Sequence, residues 1–225
     1  NLLMEPSRVK DSVVEIGIGF MFAPSFHPVM KQVASVRKEL RVRTIFNLMG
    51  PLINPARVDA QLVGLYTPTL VPQVAAVLGR LGLQEAMVVH GHEGVDEISV
   101  SGKTLVSHLK DGKIETREHV PRDFGLRDGP LIPPRGPTDA EDGAMLALSI
   151  LSGDSKERDC GYLMVLVNTA ACLVLAQQAT TFEEGFEQAA SSIKSGRAVA
   201  KLEQMVKFSG GSVEGAMERY AKQKK

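Results

Sequence analysis

The chain has no excess of either charge: 26 basic and 26 acidic side chains balance across 225 residues. A broad nucleic-acid or anionic-membrane surface needs a basic excess, so neither partner is expected. Cysteine is scarce, with only Cys160 and Cys172. On one predicted helix they would stand about 18 Å apart, too far for a disulfide, so they read as buried core thiols in a reducing compartment. No apolar run reaches the roughly 20 residues of a membrane helix. The longest, around residues 162–176, is interrupted by Asn168 and Thr169 and reads as a buried helix. There is no phosphate-binding P-loop, no G-x-S-x-G elbow, no dinucleotide fingerprint, no internal repeat and no low-complexity tract. The chain does not open on methionine, and its first residues read as mid-domain sequence, part of a longer protein.

What is present is an ordinary globular composition, 44% hydrophobic and 23% charged. Pro6 and Ser7 start a short predicted helix with Val9, Val13 and Ile16 on one face, stopped by Gly17 and Gly19. Residues 18–22 form an apolar run consistent with a buried strand. Residues 27–40 carry helical spacing (Val29, Val33, Val36, Leu40), and a further turn or two over 44–49 closes at Gly50-Pro51. A strand at 60–66, a helix at 71–83 and a strand at 86–90 make a βαβ unit, hence a parallel pair. Residues 103–109 and 113–119, joined by Asp111-Gly112, predict a hairpin with a two-residue turn. A Pro/Gly-rich connection over 121–137 leads into a helical remainder. Thr138 with Glu141, and Thr181 with Glu184, are the expected capping pairs. The end, 210–225, has little apolar content and reads as a loosely held tail.

Two places offer chemistry. Asp96 and Glu97 follow the 86–90 strand in a turn flanked by Gly91 and Gly94. Adjacent carboxylates diverge in a strand but converge in a turn, and the carboxyl ends of strands are where open α/β sheets bind ligands. Hard oxygens there suit Mg²⁺ shared with substrate phosphates, although a solvated acidic loop fits the same residues. The second place is the stretch 27–55. Arg37 and Arg41 share a helical stripe, and a guanidinium grips a carboxylate with two parallel hydrogen bonds. Taken alone, that spacing, with Glu39 nearby, reads first as an exposed basic face. His27 stands at the helix start, where it lines a site or caps the helix. His90 and His92 beside Asp96 match no closed zinc pattern.

Taken together, FMFAPSFHPVMKQVASVRKEL (20–40), RTIFNLMGPLINPA (43–56), QLVGLY (61–66), VVHGHEGVDEIS (88–99), DFGL (123–126) and NTAACLVLAQQA (168–179) resemble the anthranilate phosphoribosyltransferase family of tryptophan biosynthesis. The resemblance covers nearly the whole chain except its last fifteen or so residues. It implies a nucleoside phosphorylase/phosphoribosyltransferase-like, two-domain α/β architecture, with a mostly parallel sheet flanked by helices. Residues 1–23 and 51–225 would form the C-terminal part of the α/β domain, and 24–50 a segment of the smaller helical domain with its hinge. Arg37 matches the arginine that holds anthranilate's carboxylate. His27, Met30, Gly50 and Pro51 match positions lining the anthranilate pocket and hinge, and Asp96 and Glu97 match the acidic pair that binds Mg²⁺ with the pyrophosphate. Arg41 and Arg43 are left with surface or structural roles.

The implied reaction is displacement at C1 of phosphoribosyl pyrophosphate by anthranilate's neutral amine, with pyrophosphate leaving, so catalysis would rest on positioning and charge stabilisation. The implied partners are those two substrates and, at full length, a second copy of the chain. The implied location is cytoplasmic, or plastid in a photosynthetic eukaryote. The family's Gly-rich pyrophosphate loop, its further Mg²⁺ ligand and its Lys-His-Gly-Asn type loop precede the region present. The 225 residues thus read as a C-terminal portion, inactive by itself. The rival expectations are a catalytically inactive binding or subunit module, and a same-fold transferase with another aromatic acceptor.

Overall fold

The structure is a computed structural model and describes residues 1–27, 39, 46–127, 136–154 and 159–223. Met30, Arg37, Arg41 and Arg43 lie outside the described residues. In chain order the elements are α1 (Pro6–Ile16), the single turn α2 (Ala23–Phe26), α3 (Phe46–Leu52), β1 (Ala60–Gly64), α4 (Val71–Arg80), β2 (Glu85–Gly91), β3 (Thr104–Lys110), β4 (Lys113–His119), α5 (Ala140–Leu151), α6 (Cys160–Leu175), α7 (Phe182–Lys194), α8 (Arg197–Phe208) and α9 (Glu214–Gln223).

Four strands form one sheet in the order β1-β2-β3-β4. The predicted βαβ unit is present, with β1 parallel to β2 in the register Ala60↔Glu85 to Gly64↔Val89. β2 and β3, and β3 and β4, pair antiparallel, so the described sheet is mixed. Lys110 faces Lys113 across Asp111-Gly112, both at positive φ, as a two-residue hairpin requires.

β2 is buried at all seven positions because helices cover both sheet faces. Ala86 and Val88 point to one side, where they pack with Val63, Val71, Val74, Ala75 and Leu78 under α4. Met87 and Val89 point to the other, where they join Ile98, Val106, Leu163, Leu166 and Val167 under α6. Two-residue alternation thus feeds two separate cores from a single strand. α6 supplies Leu163, Leu166, Val167, Ala170, Ala171 and Leu175 as its buried face. Its N-cap is Asp159, which accepts from the Gly161 and Tyr162 amides. α1 docks on α8: Arg8 lies 3.8 Å from the centroid of the Phe208 ring, and Lys201 Nζ donates to the Ile16 carbonyl at 2.6 Å.

Several local expectations need correction. Residues 18–22 form no strand and join no sheet ladder among the described residues; Phe20 is 49% exposed. A short apolar run does not by itself distinguish a strand from extended coil, and the run follows directly on Gly17, whose φ of 76° ends α1. Of the face predicted for α1, Val9 is buried but Val13 is exposed; Ser12 takes the inward position and donates to the Ile18 carbonyl at 2.6 Å. α3 does not stop at Gly50-Pro51 but runs through it to Leu52. Leu48 and Leu52, one helical turn apart, anchor it on the α4-side core. The cap before α5 is Asp139, not Thr138. Asp139 accepts from the Asp142 amide at 2.9 Å, while Asp142 takes the Thr138 amide at 3.0 Å, so the capping pair sits one residue later. Thr181 caps α7 as expected, but the Glu184 carboxylate reaches back to Thr180. Residues 214–223 are helical rather than a loose tail. Tyr220 donates to Asp154 at 2.9 Å and Arg219 pairs with Glu141 at 3.3 Å. Cys160 is half-buried against the α6-side core and Cys172 lies open to solvent, so neither is fully buried as expected.

Candidate active site

The site begins where β2 runs out. Gly91 is the last strand residue, and its amide donates to the Val95 carbonyl at 2.9 Å while its own carbonyl accepts from the Gly94 amide at 2.9 Å. This tight turn delivers Asp96 and Glu97 at the carboxyl end of the strand. They are followed by Ile98, Ser99 and Val100, all fully buried. Two exposed acids are therefore carried on a strap whose next three residues are locked into the core.

Four features hold that strap. Gly64, the last residue of β1, lies directly beneath it: a Cβ there would stand 1.7 Å from the Asp96 carbonyl oxygen. Gly91 allows a second close approach, with a Cβ position 2.5 Å from Val95 Cγ2. From α6, Asn168 Oδ1 accepts from the Ile98 amide at 3.0 Å and Nδ2 donates to the Ile98 carbonyl at 3.4 Å and to the Met164 carbonyl at 2.9 Å. Finally, Ser99 and Ser101 both donate to one oxygen of Glu93, and the Ser99 hydroxyl accepts from the Gly102 amide at 2.8 Å.

The electrostatics follow from this packing. Asp96 and Glu97 both remain open to solvent, yet the Glu97 carboxyl is held above its ordinary range, first by partial desolvation and then by the charge of Asp96. The Cys172 thiol, one helical turn beyond Asn168, is raised by partial desolvation and then by the charge of Glu97, so α6 flanks the pair. Two like charges held together cost free energy in the protein alone, and a cation is their natural counter-charge. Burial acts to raise the Glu93 carboxyl, but hydrogen bonds from Ser101 and Ser99 outweigh it and bring the group below its ordinary range. A depressed carboxyl stabilises the fold above its unfolded pKa and loses that contribution as the pH falls through the folded value. The Ser99–Ser101 turn is accordingly expected to be intact at neutral pH and to loosen only below the usual carboxylate range. Faster exchange of the Gly102 amide in that acid window, absent in Glu93→Gln, checks it.

The two histidines make no cluster with the acids. His90 is buried and its Nδ1 donates to the Leu65 carbonyl at 2.7 Å, while His92 Nε2 lies 3.1 Å from Glu118 on β4. No group of three or more His, Cys, Asp or Glu gathers among the described residues. Two carboxylate donors with other positions left to water or phosphate oxygens is the arrangement that fits Mg²⁺ rather than zinc. His27 is half-buried at the end of α2, its amide donating to the Ala23 carbonyl at 2.9 Å. Gly50 is exposed on α3, and the Pro51 carbonyl accepts from Gln61 Nε2 at 3.0 Å. Gln61 and Gly64 are three residues apart on β1, so Pro51 and the acidic pair meet that strand about 10 Å apart. The described residues do not bring them together. A cavity of 1030 Å³ between α6, α7 and α8 is lined by Leu173, Gln188, Lys201 and Met205 and includes none of the predicted site residues.

Asn168 and Gly64 were missed by sequence reasoning as parts of the site, although both carry a signal. A polar amide inside an apolar helix needs a partner, and a glycine inside a strand marks a close backbone approach.

A helix-covered sheet with loops carrying paired carboxylates at a strand's carboxyl end defines an α/β domain of the kind that binds ligands at that edge. The comparisons make this particular. Residues 1–199 match the model described as "Glycosyl transferase family, a/b domain", and the chain belongs to that family. The anthranilate phosphoribosyltransferase of Symbiobacterium thermophilum is 47% identical over 92% of the chain, and that of Petrotoga mobilis 46% over 92%. The chain spans 60% and 59% of their respective lengths. Among solved structures, the Saccharomyces cerevisiae anthranilate phosphoribosyltransferase in complex with PRPP and Mg superposes with a TM-score of 0.82 at 31% identity, covering 92% of this chain and 59% of that one. The Thermus thermophilus enzyme gives 0.79 at 36%, covering 92% and 60%. No described helix is long and apolar enough to cross a membrane.

Proposed function

We propose that the protein containing this chain is an anthranilate phosphoribosyltransferase, joining the amine of anthranilate to phosphoribosyl pyrophosphate in tryptophan biosynthesis. The observation that carries it is the strapped acidic pair at the end of β2, in a chain 47% identical to an enzyme of that name. Solved yeast relatives are complexes with PRPP and Mg and with 4-fluoroanthranilate, which supports the same two ligands here.

In this reading Asp96 and Glu97 hold Mg²⁺. The ion would neutralise charge on the leaving pyrophosphate. The amine of anthranilate is neutral and nucleophilic at pH 7, so no protein base needs to remove a proton before attack. The work left to the chain is to hold the acceptor in line and to keep the pyrophosphate oriented. Arg37 grips the acceptor carboxylate, His27, Met30, Gly50 and Pro51 line the pocket and hinge, and residues 24–50 belong to a helical segment that closes on the α/β domain. A homodimer and a cytoplasmic location complete the proposal. The 225 residues by themselves are proposed to lack turnover, since they span 60% of the relative they match.

The test is consumption of anthranilate, followed by its fluorescence, in the full-length protein supplied with phosphoribosyl pyrophosphate and Mg²⁺. No consumption would sink the assignment. Arg37→Ala is expected to raise KM for anthranilate by roughly tenfold or more, as loss of a two-pronged charged contact does, and to leave KM for phosphoribosyl pyrophosphate within about twofold. An unchanged anthranilate KM removes Arg37 from the site.

A further inference from the structure

The helix that carries Asn168 lies well downstream in sequence, 70 positions from Ile98, yet this residue reaches the strap of the acidic pair. Its carboxamide takes both backbone groups of one residue: Oδ1 accepts from the Ile98 amide at 3.0 Å and Nδ2 donates to the Ile98 carbonyl at 3.4 Å. The same Nδ2 donates to the Met164 carbonyl one turn back on α6, at 2.9 Å, which fixes the side chain before it meets the strap. Ile98 is completely buried and is the residue immediately after Glu97. A two-pronged amide grip of this kind fixes rotation of a peptide segment as well as its position. The backbone φ and ψ of Ile98 and Glu97 set where the Glu97 carboxylate points. Nothing else among the described residues pairs with the Ile98 carbonyl from outside the strap.

We propose that Asn168 is a positioning residue for the cation site, holding Asp96 and Glu97 in the mutual orientation that binds a divalent ion. The proposal rests on the reading of that pair as cation ligands. Asn168 touches neither cation nor substrate and acts only through the Ile98 peptide. Partners of this second tier commonly change metal affinity by ten- to a hundredfold, and a grip on the backbone next to a ligand belongs at the lower end.

The experiment is titration of the full chain with Mn²⁺, reading free ion by its electron paramagnetic resonance signal, together with hydrogen exchange at the Ile98 amide. Asn168→Ala is expected to weaken Mn²⁺ binding about tenfold and to speed Ile98 exchange, with helical circular dichroism retained. Asn168→Ser keeps a neutral polar group but cannot span both Ile98 backbone groups, so its affinity should fall between the two. Should the alanine variant not fold, the serine variant decides on the same readouts. Fast Ile98 exchange combined with native Mn²⁺ affinity overturns the positioning role. Native Mn²⁺ affinity in Asp96→Asn/Glu97→Gln overturns instead the underlying reading of the pair, and that outcome is visible whatever Asn168 does.

Discussion

In the full-length protein, Asp96→Asn with Glu97→Gln is expected to lower turnover by about a thousandfold and to remove its response to Mg²⁺, while the melting temperature stays level or rises. The first half follows from the proposed chemistry: the replacements keep shape and volume but supply neutral oxygens where a divalent ion requires charge. The loss of one preorganised electrostatic contact already costs about 10²–10³ in rate. The second half follows from the structure of the protein alone. Burial and the charge of Asp96 raise the Glu97 carboxyl. A carboxyl raised on folding contributes stability below its unfolded pKa and loses it as the pH climbs through the folded value. At neutral pH its ionised form therefore opposes folding, and the neutral glutamine removes that opposition. A purely structural pair would behave in the opposite way, falling in melting temperature and activity together. Rate against Mg²⁺ concentration and a thermal melt, taken on the same sample, separate the cases. Normal turnover with a normal metal response would exclude the pair from the site.

That contrast bears on what the sequence made legible. The central strand and its flanks were readable because burial on both faces leaves an almost uninterrupted apolar run, AMVVH, and because Asp111-Gly112 is turn chemistry at a fixed offset. The acidic pair was readable as a candidate because it follows that strand directly. Its support was not, because the residues responsible come from β1 and α6, and only tertiary folding brings Gly64 and Asn168 to the strap. Asn168 looked like an interruption of an apolar helix; its partner is 70 positions away. The opposite error occurred at 18–22 and at 50–51. There local composition suggested a strand and a helix stop, whereas the chain forms coil at the first and carries α3 past the second on the anchoring of Leu48 and Leu52. Tertiary packing overrides local preference at such places.

Gly64 is where a single methyl group should do most damage. An alanine Cβ there would lie 1.7 Å from the Asp96 carbonyl oxygen, 2.6 Å from its carbonyl carbon and 3.3 Å from its Cα. Non-bonded contacts of a Cβ, to oxygen or to carbon, lie well beyond the first two values, so the Asp96 peptide or the end of β1 must move by more than about an ångström. Neither is free to do so. β1 is held to β2 up to Gly64↔Val89, and the Leu65 amide continues the pairing onto the Val89 carbonyl at 2.9 Å. The strap is held on one side by the Gly91–Val95 bridge and on the other by the Asn168 grip on Ile98. Overpacking between fixed backbones costs about 3 kcal/mol at the upper end of its usual range, and Gly64→Ala is expected to show that loss in a denaturant melt. Because the displaced group is the Asp96 peptide itself, Mn²⁺ affinity should fall with it by roughly tenfold or more. Gly215→Ala provides the comparison: a Cβ there meets nothing within 4 Å, and its place in α9 makes alanine neutral or stabilising by up to about 1 kcal/mol. A Gly64→Ala protein that melts like the native chain and binds Mn²⁺ as tightly would show that the strap can shift without cost. The orientation of Asp96 and Glu97 would then be set by the other supports of the strap, the Gly91–Val95 bridge, the Glu93 turn and the Asn168 grip on Ile98.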